Sequence, residues 1–527
     1  MDSLKTVVTR PGKVSTPQTK KADSRQVKNS AGGYTFTVSD MDRAKRFLIL
    51  GSESSFYSSG TKLSKQNADN LIKIVSTDEG SKTLVDEVVA VSLAGRAPKQ
   101  QPALFALAVA SSFGSDESKA YALSKLNQVA RTATALFTFV GYVSQFRGWG
   151  RGLRKAVANW YTSKRADSLG LQMVKYRSRE GYTHADVLRL AHPKGDEAFD
   201  GLSKWTLRGD TSNVPRIVEG FEKAKSASVA KLPTLIREYG LTWEMLPTEA
   251  LNDVRVWEAL LDAGMPLGAL IRNLPKLTAL GILGPMSSKT QEVIAKITDK
   301  EELKKARIHP LGILIALKTY ASGQGLRGSL SWKPVQKIVD ALDTAFYLAF
   351  DTVEPAGKRT LVALDVSGSM GWGQVAGVPI TPAEAGAALA LVTVATEPKS
   401  DVVGFASQIR DLGISPKMRL DDVVRKTSNM SFGSTDASAA INYAMSHGIE
   451  VDTFIVITDN ETWAGRYNHP HEALQQYRRK TGINAKLIVL ATTATQFSIA
   501  DPSDPGMLDI AGFDTSVPTV ITEFSRS

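Results

Sequence analysis

The stretch Thr360-Leu-Val-Ala-Leu-Asp365-Val-Ser367-Gly-Ser369-Met370 decides the fold of the C-terminal third of the chain. Its first five residues form a short apolar run, which is typical of a strand buried on both faces of a parallel sheet. Asp365, Ser367 and Ser369 follow on alternate residues, and the glycine between the two serines allows a tight turn. Ligand sites in open α/β sheets lie at the carboxyl ends of strands. The stretch therefore predicts a buried strand that leads directly into a binding loop.

The residues after this stretch repeat the same alternation of strands and helices. Apolar runs occur at 402–405, 454–457 and 487–490, and helical periodicity occurs at 382–395, 437–445 and 471–480. Buried strands that alternate with helices indicate an α/β domain built on a doubly wound sheet. We assign this domain to residues 356–527.

Two further loops of this domain carry side chains that suit a metal ion. Thr435 precedes the second helical stretch, and Asp459 follows the strand at 454–457. Hydroxyl and carboxylate oxygens suit Mg²⁺, a hard cation that keeps several of its waters. We predict a divalent cation, Mg²⁺, with Ser367, Ser369 and Thr435 as direct ligands, while Asp365 and Asp459 act through water and orient the hydroxyls. The alternative is a chance pattern, because Asp-x-Ser-x-Ser sequences occur in many loops.

The residues before this domain have the periodicity of helices. From residue 39 to about residue 350, apolar residues recur three and four apart, and Pro and Gly interrupt the pattern at short intervals. Many short helices with frequent breaks indicate stacked helix pairs, as in a helical-repeat solenoid. We assign residues 34–355 to this all-α domain. Residues 1–33, rich in Ser, Thr and Lys, are expected to form a flexible basic tail.

Composition limits the class of protein. The chain of 527 residues contains no cysteine, which excludes disulfides and thiolate zinc sites. No apolar run is long enough to span a bilayer, and the N-terminus lacks the apolar core of a secretory signal. We therefore expect a soluble cytoplasmic protein.

The charge is divided unevenly between the two domains. The chain has 64 Lys and Arg against 53 Asp and Glu, of which residues 361–527 hold 12 and 18 and the first 360 residues hold 52 and 35. The helical part is thus suited to a polyanion such as RNA, and the α/β domain is not. A basic protein with an ordinary solvated surface is the alternative.

The densest basic region lies between residues 147 and 189. On a helix after Gly150, three cations share one face, and a face of this kind can contact successive phosphates. His184 lies beside the cluster, where it is expected to stack on or bond to unpaired bases. The alternative is a solvated basic helix face. The candidate RNA-binding residues are Arg151, Arg154, Lys155, Lys164, Lys175, Arg177, Arg179 and His184.

Several segments together resemble one family, the Ro ribonucleoproteins, which are the TROVE-domain orthologues of the sixty-kilodalton Ro autoantigen. The three polar loops resemble the metal-ion-dependent adhesion site of the von Willebrand factor A domain, with all five positions filled. The likeness runs from about residue 43 to residue 523. Its strongest stretches are residues 47–53, 148–155, 305–310, 325–328, 353–359 and 499–502.

The resemblance implies a ring of HEAT-like helical repeats, closed with help from a von Willebrand factor A-type domain. Family members bind Y RNAs on the outer basic surface and take single-stranded 3′ ends of misfolded non-coding RNAs into a central hole. Lys164 and His184 align with family positions in the RNA-binding region. The implied role is RNA quality control by a non-enzymatic protein, in bacteria with a 3′ exoribonuclease as partner, and we expect a monomer.

Two other functions fit part of the sequence. A Mg²⁺-dependent nuclease would need clustered carboxylates that bridge two ions, whereas the predicted site is rich in hydroxyls. A metal-dependent protein-adhesion module would use a partner's carboxylate to complete the metal shell, and this role is compatible with RNA binding.

Overall fold

The computed structural model describes residues 16–52, 60–325, 329–350, 354–406, 408–428, 435–466, 468–514 and 516–527. Residues 1–15 of the predicted tail and residues 432–434 of the loop before Thr435 lie outside this part. So do residues 53, 326–328 and 353 of the stretches that carry the resemblance.

The described chain begins with a segment that lies on the C-terminal domain. Its strands are β1 (Val27–Lys28) and β2 (Tyr34–Thr37), which pair antiparallel with each other.

The helices begin at residue 40, whereas residues 34–37, which the predicted all-α domain included, form the strand β2. The first helices of the helical domain are α1 (Asp40–Leu50), α2 (Gly60–Ile74), α3 (Asp78–Ala94), α4 (Gln101–Phe113), α5 (Asp116–Ser124), α6 (Leu126–Val129), α7 (Ala133–Phe146), α8 (Arg151–Thr162) and α9 (Ala166–Lys175). A short hairpin of β3 (Ser178–Arg179) and β4 (Tyr182–Thr183) follows. The remaining helices are α10 (His184–Ala191), α11 (Glu197–Arg208), α12 (Arg216–Ser226), α13 (Leu232–Tyr239), α14 (Val254–Asp262), α15 (Leu267–Ala279), α16 (Ser288–Ile297), α17 (Lys300–Ala306), α18 (Pro310–Ser322) and α19 (Gln336–Leu348).

Local signals set where these helices begin and end. Ser39 and Thr77 accept hydrogen bonds from backbone amides in the first turns of α1 and α3, which satisfies donors that the helix leaves free. Gly95 ends α3 in the left-handed conformation (φ 69°), which glycine adopts without strain. Helices next to each other in sequence pack in pairs, such as α3 with α4, α12 with α13 and α18 with α19.

The C-terminal domain is a six-stranded sheet with helices on both faces. The strands of this sheet are β5 (Thr360–Asp365), β6 (Ser400–Phe405), β7 (Ile409–Asp411), β8 (Thr453–Thr458), β9 (Lys486–Ala491) and β11 (Met507–Ala511). The domain also contains β10 (Phe497–Ser498), which pairs with β2 in a separate sheet. Its helices are α20 (Pro382–Thr396), α21 (Leu420–Ser428), α22 (Ala439–His447), α23 (Pro470–Thr481) and α24 (Ser516–Arg526). The sheet order is β11-β9-β8-β5-β6-β7, and every pair is parallel except β6 with β7. The predicted doubly wound topology is confirmed.

The two faces of the sheet belong to two different hydrophobic cores. Val362 and Leu364 of β5 pack into a core that runs without interruption through α20 into the helical domain. Leu361 and Ala363, which point the other way, pack with α22 and α23. One face of the α/β domain is therefore shared with the helical repeats, so the two predicted domains form one packed body.

The α/β domain contacts both ends of the helical array. At the first helix, the buried Arg46 donates to the backbone oxygens of Thr495 (2.8 Å) and Phe497 (2.9 Å) and forms an ion pair with Asp509. At the last helix, Arg419 donates to Asp340 at 2.6 Å. The early and late helices also contact each other directly. The His309 ring, just before α18, lies 3.1 Å from the carbonyl oxygen of Arg96, just after α3. The helical array thus closes on itself through the α/β domain.

Candidate functional site

The predicted cation site forms at the carboxyl ends of two neighbouring strands. β5 ends at Asp365 and pairs directly with β8, which Asp459 follows. Both carboxylates are buried. Thr458, which sequence reasoning did not select, donates from its hydroxyl to Asp365 at 2.7 Å. The predicted convergence of these two loops is confirmed.

The serine hydroxyls are held close together in the loop after β5. The Ser367 and Ser369 Oγ atoms lie 3.0 Å apart, and the Ser367 backbone amide donates to Asp365 at 3.0 Å. Ser369 and Asp459 line the same small cavity. The two loops therefore present oxygens to a common point.

The environment of the Thr435 hydroxyl bears on whether the predicted site suits a metal ion. Its side chain is 1% exposed, and its hydroxyl has no hydrogen-bond partner among the described residues. Its backbone oxygen accepts from the amides of Trp463 (3.0 Å) and Ala464 (2.9 Å), which follow the Asp459 loop. A buried hydroxyl without a partner costs free energy unless a ligand satisfies it. The donor set fits a hard divalent cation bound through hydroxyls.

The buried carboxylates at the site have raised pKa values. Burial and the Asp459 charge raise the pKa of Asp365 above its usual range, and burial raises the pKa of Asp459 as well. Glu461, two residues further on, has its pKa raised to about 8 by burial and by Asp459. Within the described ranges no cluster of three or more His, Cys, Asp or Glu side chains has metal-site geometry. The role of the Ser367, Ser369 and Thr435 hydroxyls as cation ligands stays a prediction.

The prediction of a flexible tail is wrong for residues 16–33, which lie against the loops of the cation site. Gln18 is 0% exposed, and its side-chain amide donates to Asp436 (2.8 Å) and to the Asn468 carbonyl oxygen (3.1 Å). Its amide oxygen accepts from the Thr462 hydroxyl. Residues 16–33 have the polar composition of a flexible tail, but their polar side chains form hydrogen bonds within the protein instead of facing solvent.

A second group of contacts joins the same segment to the loop after β8. The Asn29 side chain donates to the Thr462 carbonyl oxygen at 2.9 Å, and the Ala31 amide donates to the Glu461 carboxylate at 3.0 Å. β2, which directly follows this segment, pairs with β10 of the α/β domain. We call residues 16–33 the N-terminal strap. The strap bridges the loop that carries Thr435 and the loop that carries Asp459.

The basic face of α8 has the predicted form. Leu153, Val157 and Trp160 are buried in the core. Arg151, Arg154 and Lys155 are exposed. None of these three makes an ion pair or a side-chain hydrogen bond in the part of the chain that the structure describes. The face therefore presents three cations that have no protein partner among the described residues.

The two predicted lysines outside α8 behave differently from the α8 cations. The Lys164 ammonium donates to the Trp160 carbonyl oxygen at 2.7 Å and lies 3.6 Å from the centre of the Trp160 ring. Burial lowers its pKa to about 8. The Lys175 ammonium lies 3.5 Å from Glu244. Both lysines already have protein partners, which reduces what each offers to a phosphate.

Arg177 and Arg179, after α9, are both exposed. The Arg177 guanidinium lies 5.8 Å from the centre of the Phe221 ring, and Arg179 forms an exposed ion pair with Glu180 at 3.2 Å. Arg177 points toward α12 and therefore lies at the edge of the cluster.

The expectation that the His184 ring contacts bases is not met by the geometry. The ring is 4% exposed, its Nδ1 atom lies 2.9 Å from the Tyr161 hydroxyl, and its Nε2 atom lies 3.0 Å from the Tyr176 carbonyl oxygen. Burial lowers its pKa to about 4, so the ring is neutral. The Tyr176 carbonyl accepts only from a protonated Nε2, so Nδ1 accepts from Tyr161. His184 holds α10 against α8 and the loop after α9.

A closed helical array joined to an α/β domain with a hydroxyl-rich loop defines a class, the helical-repeat proteins that carry a von Willebrand factor A-type domain. Residues 27–231 and 236–319 match the TROVE domain family, and residues 359–525 match the family described as the Ro60 vWA domain. The chain belongs to the TROVE-domain Ro60 family. The first match begins at residue 27, inside the N-terminal strap.

Relatives match over nearly the whole chain. The chain is 45% identical over 520 residues to the RNA-binding protein RO60 of Deinococcus radiodurans, and this match covers 97% of each sequence. It is 35% identical over 590 residues to the RNA-binding protein RO60 of Caenorhabditis elegans, over 96% of this chain and 91% of the relative. The crystal structure of the Deinococcus radiodurans RO (RSR) protein superposes with a TM-score of 0.72 at 43% identity. That match covers 93% of this chain and 99% of the other.

No helix among the described residues combines the length and apolar character needed to cross a membrane.

Proposed function

We propose that this protein binds RNA through the basic face of α8 and acts in RNA quality control. In this proposal a Y-type RNA occupies the outer basic surface, and the single-stranded 3′ ends of misfolded non-coding RNAs enter a central hole of the helical array. A 3′ exoribonuclease is the proposed protein partner. The protein itself does not catalyse a reaction, in keeping with relatives that are named as RNA-binding proteins.

The observation that carries the proposal is the set of three exposed cations on α8 without protein partners among the described residues. A cation that is free of protein anions gains most from contact with a phosphate, because no ion pair is broken and counterions are released from the RNA. The spacing of Arg151, Arg154 and Lys155 on one helix face suits consecutive phosphates. Such contacts are independent of base sequence, so they supply affinity and orientation.

The test compares two adjacent arginine–lysine pairs on exposed helix surfaces. The double variant Arg154→Ala/Lys155→Ala should weaken binding of a structured RNA and flatten the dependence of log affinity on log salt by roughly two phosphate contacts. The matched variant Arg479→Ala/Lys480→Ala removes the same charges from α23, in the acidic domain. It should leave both quantities unchanged. If the two variants had equal effects, RNA binding would depend on general electrostatic attraction and not on the α8 face.

We further propose that the site formed by Ser367, Ser369 and Thr435 holds a divalent cation, Mg²⁺, with Asp365 and Asp459 in support. A divalent cation bound there offers a coordination position to an anionic oxygen of a partner. The Thr435 hydroxyl, which has no partner among the described residues, supports this assignment. The carboxylates keep the hydroxyls oriented and supply the negative charge that a cation balances.

One observation favours a second candidate function, metal-dependent adhesion of a protein. Trp372, which follows the Ser369 loop, is 64% exposed, and Trp463, which follows the Asp459 loop, is also exposed. Exposed aromatic side chains at the edge of a polar site are typical of protein interfaces. A partner that is captured only with Mg²⁺, and that stays bound after RNase treatment, would support this function. Capture that disappears with RNase would assign the surface to RNA.

A further inference from the structure

A groove opens beside the basic face of α8, between α9, α10, α11 and α12. Its volume is about 400 Å³, within the range of roughly 300–1,000 Å³ that small ligands occupy. Met173 and Ala185 line two of its sides, and Trp205 contributes a half-buried indole. α10, which forms one wall, packs directly against α8. The groove and the three α8 cations therefore lie on neighbouring elements.

The charges around the groove favour an anionic ligand. The guanidinium of Arg177 and the ammonium of Lys225 lie 5.8 Å and 4.7 Å from the centre of the buried Phe221 ring. The acid in the lining is Glu222, whose carboxylate accepts from the Trp205 indole (3.0 Å) and from Lys225 (2.7 Å). Its charge is thus already compensated, and Arg177 has no acidic partner among the described residues.

The aromatic wall is held in a fixed orientation before any ligand binds. The hydrogen bond from the Trp205 indole to Glu222 sets the plane of the ring, and Phe221 contacts it edge to face at 6.5 Å. His184 closes the end of the groove, but both of its ring nitrogens are engaged by protein atoms. Trp205, rather than His184, is therefore the ring available for stacking.

We infer that this groove binds one unpaired nucleobase, extruded from an RNA whose phosphates contact α8, with the base against Trp205 and a flanking phosphate beside Arg177. An aromatic platform next to cations is the arrangement by which proteins hold single unstacked bases. This inference rests on the proposed RNA binding. It assigns to the groove the base contact that sequence reasoning placed on His184.

The test uses two RNA hairpins that differ in one nucleotide. One has a fully paired stem that contains 2-aminopurine, and the other carries 2-aminopurine as a single bulged nucleotide in the same stem. The wild-type protein should bind the bulged hairpin roughly tenfold more tightly, which is the order expected for one stacked base. Stacking on Trp205 should also quench the fluorescence of the bulged 2-aminopurine.

A variant that fills the groove without changing charge isolates the base contact. Ala185→Phe should remove the tenfold advantage and the quenching, while the affinity for the paired hairpin stays at the wild-type value. Ala295→Phe, the same change on the exposed surface of α16, should behave like the wild type. If Ala185→Phe does not fold, as judged by its melting curve, Thr206→Leu fills the same groove from α11.

The outcomes separate this inference from the proposed function. A bulge advantage that persists in the filled variants, or that is absent in the wild type, would overturn the base groove while leaving phosphate binding intact. Failure of the wild type to bind either hairpin would instead overturn the proposed RNA binding on α8.

Discussion

The hydroxyl of Thr435 is the most informative single group in the protein, because the fold buries it and gives it no partner among the described residues. We expect Thr435→Val, which keeps the shape and removes the hydroxyl, to raise the cation-free stability by about 1 kcal/mol. The same variant should lose the increase in melting temperature that Mg²⁺ produces in the wild type, because a ligand stabilises only the state that binds it.

Thr453 provides a matched control for this substitution. Its hydroxyl is likewise buried without a partner among the described residues, but it lies at the opposite end of β8 from Asp459. Thr453→Val should also raise stability and should keep the full response to Mg²⁺, measured by thermal melting with and without the cation. An undiminished Mg²⁺ response in Thr435→Val would remove Thr435 from the ligand set.

His184 makes the stability of the helical domain depend on pH. In the unfolded chain a histidine takes up a proton near its ordinary pKa of 6.5, whereas in the folded protein burial lowers the pKa of His184 to about 4. Between these values the unfolded state binds more protons, so stability falls as the pH drops from about 6.5 to about 4. The largest contribution is about 3 kcal/mol, from a pKa shift of roughly two and a half units at about 1.36 kcal/mol each.

We expect His184→Gln to flatten this fall, because its amide can donate to the Tyr176 carbonyl oxygen as Nε2 does but does not titrate. Melting temperatures between pH 7 and pH 4.5 measure the effect. The exposed His447→Gln on α22 is the control and should leave the profile as in the wild type. A profile of His184→Gln that matches the wild type would assign the pH dependence to other groups.

At the scale of elements, the N-terminal strap connects two loops of the α/β domain that are separated in sequence. Gln18 contacts residues on both the Asp436 side and the Thr462 side, so its side chain ties the Thr435 loop to the Asp459 loop. We expect Gln18→Ala to weaken Mg²⁺ binding by roughly tenfold, as loss of groups that orient metal ligands commonly does. Isothermal titration with Mg²⁺ measures the dissociation constant.

The exposed Gln475→Ala on α23 is the control for this change and should bind Mg²⁺ as the wild type does. If Gln18→Ala keeps the wild-type dissociation constant, the strap stabilises the domain without positioning the cation loops. The strap also explains why Glu461 stays buried, since the Ala31 amide donates to its carboxylate.

At the scale of the whole molecule, the α/β domain closes the helical array. The buried guanidinium of Arg46 is satisfied by one carboxylate and two backbone carbonyls, which fixes the first helix against the α/β domain in one geometry. The ion pair between Arg419 and Asp340 attaches the last helix. Access to the central hole of the proposed function would depend on the free end and the width of the RNA.

We expect a hairpin with a single-stranded 3′ tail to bind more tightly than the same hairpin with a blunt end, whatever the sequence of the tail. The tail and the stem would contact two surfaces at once, so the second contact benefits from effective concentration. Circularising the tailed RNA should abolish the advantage, because threading needs a free end. Competition binding measures the three affinities. Equal values would indicate that the RNA binds only to the surface and does not thread into the hole.

The sequence by itself determined the parts of this protein that local pattern encodes. The apolar run of β5, the loop of Ser367 and Ser369 and the buried face of α8 all follow from periodicity within a few residues, because side-chain direction repeats every two residues in a strand and about every 3.6 in a helix. Parallel strands end at one edge of the sheet, so the meeting of Asp365 and Asp459 was also predictable.

Only the tertiary structure decided how polar side chains were used. Gln18 is hydrogen-bonded to residues more than 400 positions away, so its segment has the composition of a tail although it is buried. His184 lies in the basic cluster along the sequence, yet Tyr161 and the Tyr176 carbonyl enclose its ring. The groove that we propose binds a base lies instead where four helices meet. The physical reason is that a polar group must find a partner wherever it is buried, and the identity of that partner is a property of the folded chain rather than of its neighbours in sequence.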